Sequence, residues 1–328
     1  MKSISIVIPL YNEKESLPEL YEGLTRELTT RGGDFEIIFV DDGSVDGSFP
    51  VLQSLQQKDP RIKIIRFRRN FGKSSALSAG FRLASGDFIV TMDADLQDRP
   101  SEIHKLLAKL DEGCDLVSGW KQQRQDPVLK RITSRLFNFV TSFLTGVPLH
   151  DINCGFKAYR RRVIEEIKVY GEMHRYIPVL ASYRGFRVDE IHVEHRARAY
   201  GKSKYGPARF LGGFFDLLTV IMLTRYNSKP LHIFGILGLI LLSVGSLIEV
   251  YLTIGWCIAQ FSGGGAGMWI EDRPAFMLGI LLIIIGVQFI FFGLLAEMIA
   301  YSTRREEDYA IQDMAVIETE RFKRAVDR

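Results

Sequence analysis

The chain has 328 residues, of which 47% are hydrophobic, and a formal net charge of +3. This length and apolar content allow one sizeable domain with its own core and leave a substantial further segment. The nearly balanced charge gives no indication of nucleic acid as a partner. Cys114, Cys154 and Cys257 lack the spacing of metal ligands, and we expect them to be reduced in a cytoplasmic domain.

Strand and helix patterns alternate through the amino-terminal part of the chain. Four segments rich in β-branched and apolar residues are predicted strands: 3–10, 35–40, 62–67 and 88–92. Three segments with apolar residues at helical spacing are predicted helices: 15–29, 46–57 and 74–84. We expect Asp46 to begin the second helix as its N-cap. The alternation predicts an α/β fold, a mostly parallel sheet with helices on both faces.

Polar residues follow each predicted strand, at the edge where ligands bind in such sheets. These groups are Tyr11-Asn12-Glu13, Asp41-Asp42-Gly43-Ser44, Arg69-Asn70-Phe71-Gly72-Lys73 and Asp93-Ala94-Asp95. The first strand is not followed by Gly-x-Gly-x-x-Gly, which disfavours a dinucleotide-binding oxidoreductase.

Asp93 and Asp95 follow the most apolar of these strands. Side chains alternate along an extended chain, so we expect both carboxylates to point to the same side. Two such oxygen donors can hold one Mg²⁺ or Mn²⁺ and leave coordination positions for substrate phosphates. The alternative is a solvated turn, and Asp-Ala-Asp alone does not decide between the two.

The carboxyl-terminal half contains membrane-type segments. A basic and aromatic helix at 128–144 and an apolar helix at 210–224 are predicted to lie at a membrane surface. Two longer apolar segments, 231–257 and 275–300, exceed the roughly 20 residues needed to cross a bilayer. Basic residues flank this pair on one side: Arg225, Lys229, Arg304 and Arg305. The positive-inside rule therefore predicts that both termini are cytoplasmic.

The predicted organisation has four parts. They are a catalytic domain at 1–205, an interface helix at 206–229, two transmembrane helices with a short outside loop at 230–301, and a cytoplasmic tail at 302–328. We expect the chain to be an integral membrane protein, in the inner membrane of a bacterium. The transmembrane helices and the tail are candidate surfaces for homo-oligomerisation.

Three sequence blocks in a fixed order resemble those of a known family. They are Ile6-Val7-Ile8-Pro9-Leu10-Tyr11-Asn12-Glu13, Val40-Asp41-Asp42-Gly43-Ser44-Val45-Asp46-Gly47 and Met92-Asp93-Ala94-Asp95-Leu96-Gln97-Asp98. The blocks are similar to those of inverting glycosyltransferases of family 2, which have the GT-A fold. Over about residues 3–205 the chain looks like membrane-anchored polyisoprenyl-phosphate hexosyltransferases, the group of bactoprenol glucosyltransferases and dolichyl-phosphate mannose synthases. The two predicted spans fit the architecture of that subgroup.

The resemblance implies a donor site at the strand ends. Its nucleotide-sugar-binding residues would be Pro9, Tyr11, Asn12, Glu13, Asp41, Asp42, Gly72, Lys73 and Asp93. Asp93 and Asp95 would hold Mg²⁺ or Mn²⁺, and Gln97 would lie beside the donor sugar. Whether Asp41 or Asp42 contacts the nucleobase stays open at this point.

The resemblance also implies an acceptor side. Its lipid-phosphate-binding residues would be Arg124, Arg131, Arg198, Lys202, Ser203 and Tyr205. Asp151 looks like the family's second acidic residue, and it joins Asp95 and Gln97 as a catalytic candidate. A lipid monophosphate is already anionic, so its oxygen needs positioning more than deprotonation. A hydroxyl acceptor would instead require Asp151 to act as a general base.

The sequence therefore predicts inverting transfer of a hexose from a nucleotide sugar to a polyprenyl phosphate. UDP-glucose with undecaprenyl phosphate is the first choice of substrates, and GDP-mannose with a dolichol-type lipid is the second. Two other hypotheses are a transferase with a hydroxyl acceptor and a membrane scaffold that retains an inactive transferase domain. The intact Asp93-Ala94-Asp95 motif disfavours the scaffold.

Overall fold

One seven-stranded sheet organises the amino-terminal unit within the described residues. In chain order the strands are β1 (Ile4–Leu10), β2 (Phe35–Asp41), β3 (Ile62–Arg66), β4 (Phe88–Thr91), β5 (Leu116–Trp120), β6 (Lys157–Arg160) and β7 (Val188–His192). Their spatial order is β3-β2-β1-β4-β6-β5-β7. The first four strands are parallel, β6 is antiparallel to both β4 and β5, and β7 pairs parallel with β5 at the edge. The predicted mostly parallel sheet is confirmed.

The computed structural model describes residues 2–122, 128–169, 171–196, 209–225, 230–261 and 274–303. Its helices are α1 (Leu17–Arg31), α2 (Ser48–Lys58), α3 (Lys73–Leu83), α4 (Ile103–Asp111), α5 (Val128–Thr145), α6 (Arg161–Glu166), α7 (Ile177–Tyr183), α8 (Arg209–Arg225), α9 (Pro230–Phe261) and α10 (Pro274–Thr303). Two 3₁₀ turns, Pro100–Glu102 and Met173–Tyr176, precede α4 and α7. By their contacts the residues form two compact units, Met1–Ile233 and Phe234–Arg328. The finer division predicted above stays a prediction.

The apolar strands are buried because helices cover both faces of the sheet. Successive side chains of a strand point to opposite faces. Ile6 and Ile8 of β1 accordingly pack in one core cluster with Leu20 of α1, whereas Val7 packs in another with Leu77 of α3. A near-continuous apolar strand is what a sheet covered on both faces requires.

One local prediction was wrong, and the premise of a second does not hold. Helix α2 begins at Ser48, and its N-cap is Gly47, which has a left-handed φ of 92°. Asp46 still contacts this end of α2, because its Oδ1 accepts the backbone N–H of Ser48 at 2.9 Å. Strand β4 ends at Thr91, and Asp95 lies in a turn. Strand alternation therefore does not determine the relative directions of the two carboxylates.

The carboxyl-terminal unit contains most of α9 and all of α10, the helices predicted as membrane spans. Both are long and apolar enough to cross a bilayer, judged by length and composition. A Cβ atom on Gly238 would lie 2.6 Å from the carbonyl oxygen of Gly286, and one on Gly245 would lie 2.7 Å from that of Gly279. The two helix backbones are therefore in direct contact at these glycines, as is common between membrane helices.

Candidate active site

The ion pair of Lys73 and Asp93 marks the centre of the candidate site. Asp93 follows β4, and Lys73 is the first residue of α3. Burial would raise the pKa of Asp93, but the charge of Lys73 and its hydrogen bond, together with the charge of Lys121, lower that pKa to about 2. The Asp93 carboxylate is therefore ionised at neutral pH.

The segment before β6 returns to Asp93. A Cβ atom on Gly155 would lie 2.7 Å from Oδ2 of Asp93, so a larger residue would displace the carboxylate. Thr91 holds this glycine by donating a hydrogen bond from Oγ1 to its carbonyl oxygen at 2.8 Å. The segment that contains Gly155, which follows Asp151 by four residues, is thus brought to the end of β4.

Lys157 places a second cation close to this centre. Its side chain is buried, and its ammonium group donates a hydrogen bond to the carbonyl oxygen of Cys154. Burial lowers the pKa of Lys157 to about 8, and the nearby charge of Lys73 acts in the same direction. Asp151, which is also buried, contributes an opposing electrostatic attraction.

Asp93 and Asp95 fit a divalent cation that is shared with a substrate. Asp95 is largely buried, and its Oδ1 accepts the backbone N–H of Gln97 at 3.2 Å. Among the described residues, no group of three or more His, Cys, Asp or Glu side chains is arranged to hold a metal. Mg²⁺ commonly binds through one or two carboxylates, with phosphates and waters completing its shell. The donor set therefore suits a cation that arrives with a phosphate ligand.

Asp41 and Asp42 have different partners. Asp42 accepts the backbone N–H groups of Phe71 at 2.7 Å and Gly72 at 2.9 Å. Burial raises the pKa of Asp42, although these two hydrogen bonds oppose the shift. Asp41 is fully buried, and its Oδ1 accepts the backbone N–H of Ser44 at 2.8 Å. Within the described residues Oδ2 of Asp41 accepts no hydrogen bond, and it forms an ion pair of 3.7 Å with Nε of Arg66.

The loops after β1 and β2 are tied together beside Asp41. Asn12 has a φ of 54°, its N–H donates to Oγ of Ser44 at 2.9 Å, and its Oδ1 accepts the N–H of Val45 at 2.9 Å. The N–H of Glu13 donates to Oγ of Ser48 at 3.1 Å. Tyr11 is half-buried in the same loop, and Pro9 is buried on β1 opposite Val40.

The predicted catalytic residue Gln97 lies where two distant segments meet. Its carbonyl oxygen accepts the N–H of Arg196 at 3.0 Å, and the next residue, Asp98, pairs with His195. Asp98 is buried, and its carboxylate forms an ion pair of 2.6 Å with Lys121. Asp98 was part of the third sequence block but had no predicted role, and no sequence signal indicated His195, because their pairing is long-range.

An open cleft of about 1280 Å³ adjoins this junction. Its lining includes Lys121, Asn138, Phe139, Asp151 and His195. Two of these residues are on α5, so the cleft lies between that helix and the ends of β5 and β7. Asp151 therefore borders a space large enough for part of an acceptor.

The predicted lipid-phosphate residues fall largely outside the described part of the chain. Those outside are Arg124, Arg198, Lys202, Ser203 and Tyr205. Arg131 lies in α5, but its side chain is outside the described set. Their proposed roles stay predictions.

Residues 5–168 match the family model described as glycosyl transferase family 2. The chain is also 37% identical over 309 residues to the dodecaprenyl-phosphate galacturonate synthase of Rhizobium johnstonii, covering 93% of this chain and 89% of that relative. The chain belongs to glycosyltransferase family 2. The resemblance carried by the three sequence blocks is confirmed, and this glycosyltransferase is an enzyme of the class predicted from them.

Two solved structures of glucosyl-3-phosphoglycerate synthase from Mycobacterium tuberculosis share the fold. One holds phosphoglyceric acid, and it matches with a TM-score of 0.51 and 19% identity over 68% of this chain and 80% of that chain. The other holds Mn²⁺, uridine diphosphate and phosphoglyceric acid, and it matches with a TM-score of 0.51 and 19% identity over 68% and 78%. The predicted GT-A fold is confirmed.

Proposed function

We propose that this glycosyltransferase transfers a sugar from a nucleoside diphosphate donor to the phosphate of a polyprenyl phosphate. The observation that carries the proposal is the 37% identity, over 93% of the chain, to a relative named for dodecaprenyl phosphate. The ionised Asp93 beside Lys73 supports a diphosphate donor, because a carboxylate with an adjacent cation can hold both a metal and the leaving phosphates.

The donor diphosphate would bind at the carboxyl ends of β1 and β4. Asp93 and Asp95 would hold Mg²⁺ or Mn²⁺, which when bound supplies positive charge to the departing nucleotide. Lys73 would contact the same phosphates from the start of α3. Asp41 is the better nucleotide contact of the acidic pair, because both oxygens of Asp42 already accept backbone N–H groups. In the described part of the chain Oδ2 of Asp41 accepts no hydrogen bond and faces Nε of Arg66 at 3.7 Å, so it can accept a base N–H or a ribose hydroxyl. Asp42 would brace the loop that carries Gly72.

The donor sugar has three candidates. The name of the 37% identical relative supports galacturonate, and we rank UDP-galacturonate first because that identity spans the donor-binding blocks. UDP-glucose, the first choice from the resemblance, is second, and GDP-mannose is third.

The acceptor phosphate needs positioning in line with the departing nucleotide. Its oxygen is already anionic, so a positioning role for Asp151 at the border of the cleft is sufficient. In-line displacement inverts the anomeric centre. A hydroxyl acceptor is the second candidate, and it would need Asp151 as a general base.

Reaction at a membrane surface is supported by two helices of the amino-terminal unit. Phe139 and Phe143 of α5 and Phe215 of α8 expose 70%, 77% and 62% of their surfaces. Large exposed apolar side chains on helices are typical of interfacial binding. The basic residues at the ends of α9 and α10 support a cytoplasmic catalytic unit.

A turnover assay on the purified full-length protein tests the proposal. The protein with Mn²⁺ is offered UDP-galacturonate, UDP-glucose or GDP-mannose, each with undecaprenyl phosphate, dolichyl phosphate, the alcohol lipid undecaprenol or no lipid. We expect a lipid-linked sugar that forms only with a phosphate lipid. Asp95→Asn should lose at least 100-fold in rate, and Asp34→Asn, an exposed carboxylate before β2, is the matched control.

The outcomes separate the alternatives. Transfer to an alcohol lipid with none to the phosphate lipids would favour the hydroxyl-acceptor reaction. Absence of transfer from every donor, in a protein that still binds the nucleotide, would overturn the assigned acceptor. Equal activity of Asp95→Asn and wild type would remove the metal role of that residue.

A further inference from the structure

The 3₁₀ turn Met173–Tyr176 touches the first turn of α3. The backbone N–H of His174 donates to Oγ of Ser74 at 3.1 Å, and the imidazole Nδ1 lies 2.9 Å from the same oxygen. Ser74 is only 1% exposed, so its hydroxyl hydrogen needs an acceptor inside the protein. Nδ1 provides that acceptor when the imidazole is neutral and carries its proton on Nε2.

The surroundings of His174 favour a neutral imidazole. Burial lowers the pKa of His174 well below its usual range, and the charges of Lys73 and Arg175 act in the same direction. The attraction of Asp93 opposes them, and Oε2 of Glu172 lies 4.0 Å from Nδ1, beyond hydrogen-bond distance. A neutral imidazole keeps Nδ1 available to Ser74 throughout the physiological pH range.

The serine that His174 holds is adjacent to the residue that pairs with Asp93. Lys73 and Ser74 are the first two residues of α3, and Gly72 before them has a φ of 89°. The carboxylate of Asp42 accepts a hydrogen bond from the backbone N–H of Gly72. The first turn of α3 is therefore held by Asp42 at its entry and by His174 at its side.

The next two residues of the same turn contact α8. The hydroxyl of Tyr176 donates to the carbonyl oxygen of Gly213 at 3.1 Å. Arg175 Nη1 lies 3.9 Å from Oδ2 of Asp216. Arg175 and Tyr176 are both buried. One four-residue turn therefore contacts the donor end of α3 and a helix whose other side exposes apolar residues.

We propose that His174 is a positioning residue, which holds Ser74 and thereby places Lys73 for the donor diphosphate, and that Tyr176 connects this support to α8. The inference rests on the proposed function, since its ligand is the nucleotide. Neither His174 nor Tyr176 is assigned a contact with the reacting atoms. Their substitution should change donor affinity more than acceptor affinity.

Calorimetric titration of the full-length protein with UDP and Mn²⁺, and with GDP as the alternative nucleotide, tests the inference. We expect Ser74→Ala and His174→Ala each to weaken nucleotide binding by about tenfold, and the double variant to bind no worse than the weaker single variant. His174→Asn should restore most of the affinity, because its amide oxygen can replace Nδ1 as the acceptor. Ser54→Ala on α2 and His104→Ala on α4, both exposed, are the matched controls.

A second pair of variants tests the contact between Tyr176 and α8. Tyr176→Phe should weaken nucleotide binding by about threefold, whereas Tyr183→Phe, at a half-exposed tyrosine of α7, should not. In turnover, His174→Ala should raise the KM for the donor and leave the KM for the lipid unchanged.

Thermal midpoints identify variants that do not fold, and Ser74→Ala is the smallest change in the set. If the Ser74→Ala and His174→Ala variants fold and bind the nucleotide as tightly as the wild type, the inference is overturned and the proposed function is not affected. A wild-type protein that binds neither nucleotide would overturn the proposed function, and the inference with it. Loss of affinity in His174→Asn equal to that in His174→Ala would show that the Nδ1 acceptor is not what matters.

Discussion

At the scale of single residues, the charge state of Asp93 depends on its neighbours. Burial acts against the ionised carboxylate, and Lys73 reverses that effect. A carboxylate with such a low pKa keeps its charge for a metal and for phosphates at any physiological pH. Lys73 therefore pairs with the carboxylate of Asp93 and keeps it ionised, in the form that binds a metal ion.

Replacing Lys73 should move the acid limit of nucleotide binding. In Lys73→Met, burial is no longer offset by the ion pair, so the pKa of Asp93 rises and protonation begins at a higher pH. We expect at least tenfold weaker UDP binding at pH 7 and a shift of the acid limb to higher pH, measured by titrations between pH 4 and 8. Lys2→Met, which removes an exposed ion pair with Asp111, is the control. An unshifted acid limb would contradict this account of Asp93.

The buried charge of Lys157 should lower the free energy of unfolding at neutral pH. Below pH 8 its amine is charged in both folded and unfolded chains, and the cost of burying the charge is fully present. Between pH 8 and the unfolded value of about 10.4, the folded state has released the proton, and the cost decreases as pH rises. The lowering of the Lys157 pKa corresponds to roughly 3 kcal/mol of unfolding free energy.

Lys157→Met should therefore raise the thermal midpoint at pH 7, and the gain should shrink by pH 10. Lys168→Met, at an exposed lysine, should have no such pH dependence. The measurement is thermal unfolding in detergent at both pH values. An equal rise in the thermal midpoint at pH 7 and pH 10 would show that the charge of Lys157 does not cause the rise.

At the scale of secondary structure, local pattern was sufficient for the strands and helices from β1 to β4. Strands β1, β2 and β4 are largely apolar and buried, whereas β3, at the edge of the sheet, is only partly buried. Each helix repeats apolar residues at helical spacing. Strand β6 has no such signal, since it begins with Lys157 and ends with Arg160. Its place in the sheet depends on antiparallel pairing with β4, which is distant in sequence.

The site was predictable in its residue types but not in its contacts. The motifs placed Asp93, Lys73 and Asp41 at one edge because parallel strands end there. The hydrogen bond between Ser74 and His174 joins residues 100 positions apart, and no local period encodes it. The turn at Asp95 likewise depends on the tertiary environment of the loop.

The glycine contacts between α9 and α10 should be intolerant of side chains. Gly245→Leu places a side chain where the carbonyl oxygen of Gly279 lies 2.7 Å from the Cβ position, so the helices must separate. Overpacking of this kind commonly costs about 1–3 kcal/mol. We expect a lower thermal midpoint in detergent. Gly255→Leu, on the same helix with open space around its Cβ position, should leave the midpoint unchanged, and equal effects would contradict the proposed backbone contact.

At the scale of the whole molecule, the proposed orientation places both ends of the helical hairpin on the catalytic side. In a Cys257→Ser background, Ser262→Cys, after α9, should react with a membrane-impermeant maleimide from the outside of intact cells. Ser302→Cys, at the exposed end of α10, should react only after the cells are opened. Cys114 and Cys154 are buried and serve as unreactive internal references. The reverse labelling pattern would invert the assigned topology.

The antiparallel pairing of β5 and β6 has a consequence for how such enzymes diversify. Adjacent antiparallel strands need only a two-residue turn, yet residues 121–156 intervene and include α5. The last of these residues are constrained, because Gly155 rests against Asp93. Lys121 is constrained as well, by its ion pair with Asp98. No described residue of the portion from 122 to 146, which includes α5, takes part in strand pairing. We therefore expect that portion to tolerate changes of length that admit other acceptors, whereas the residues around Asp93 should not tolerate them.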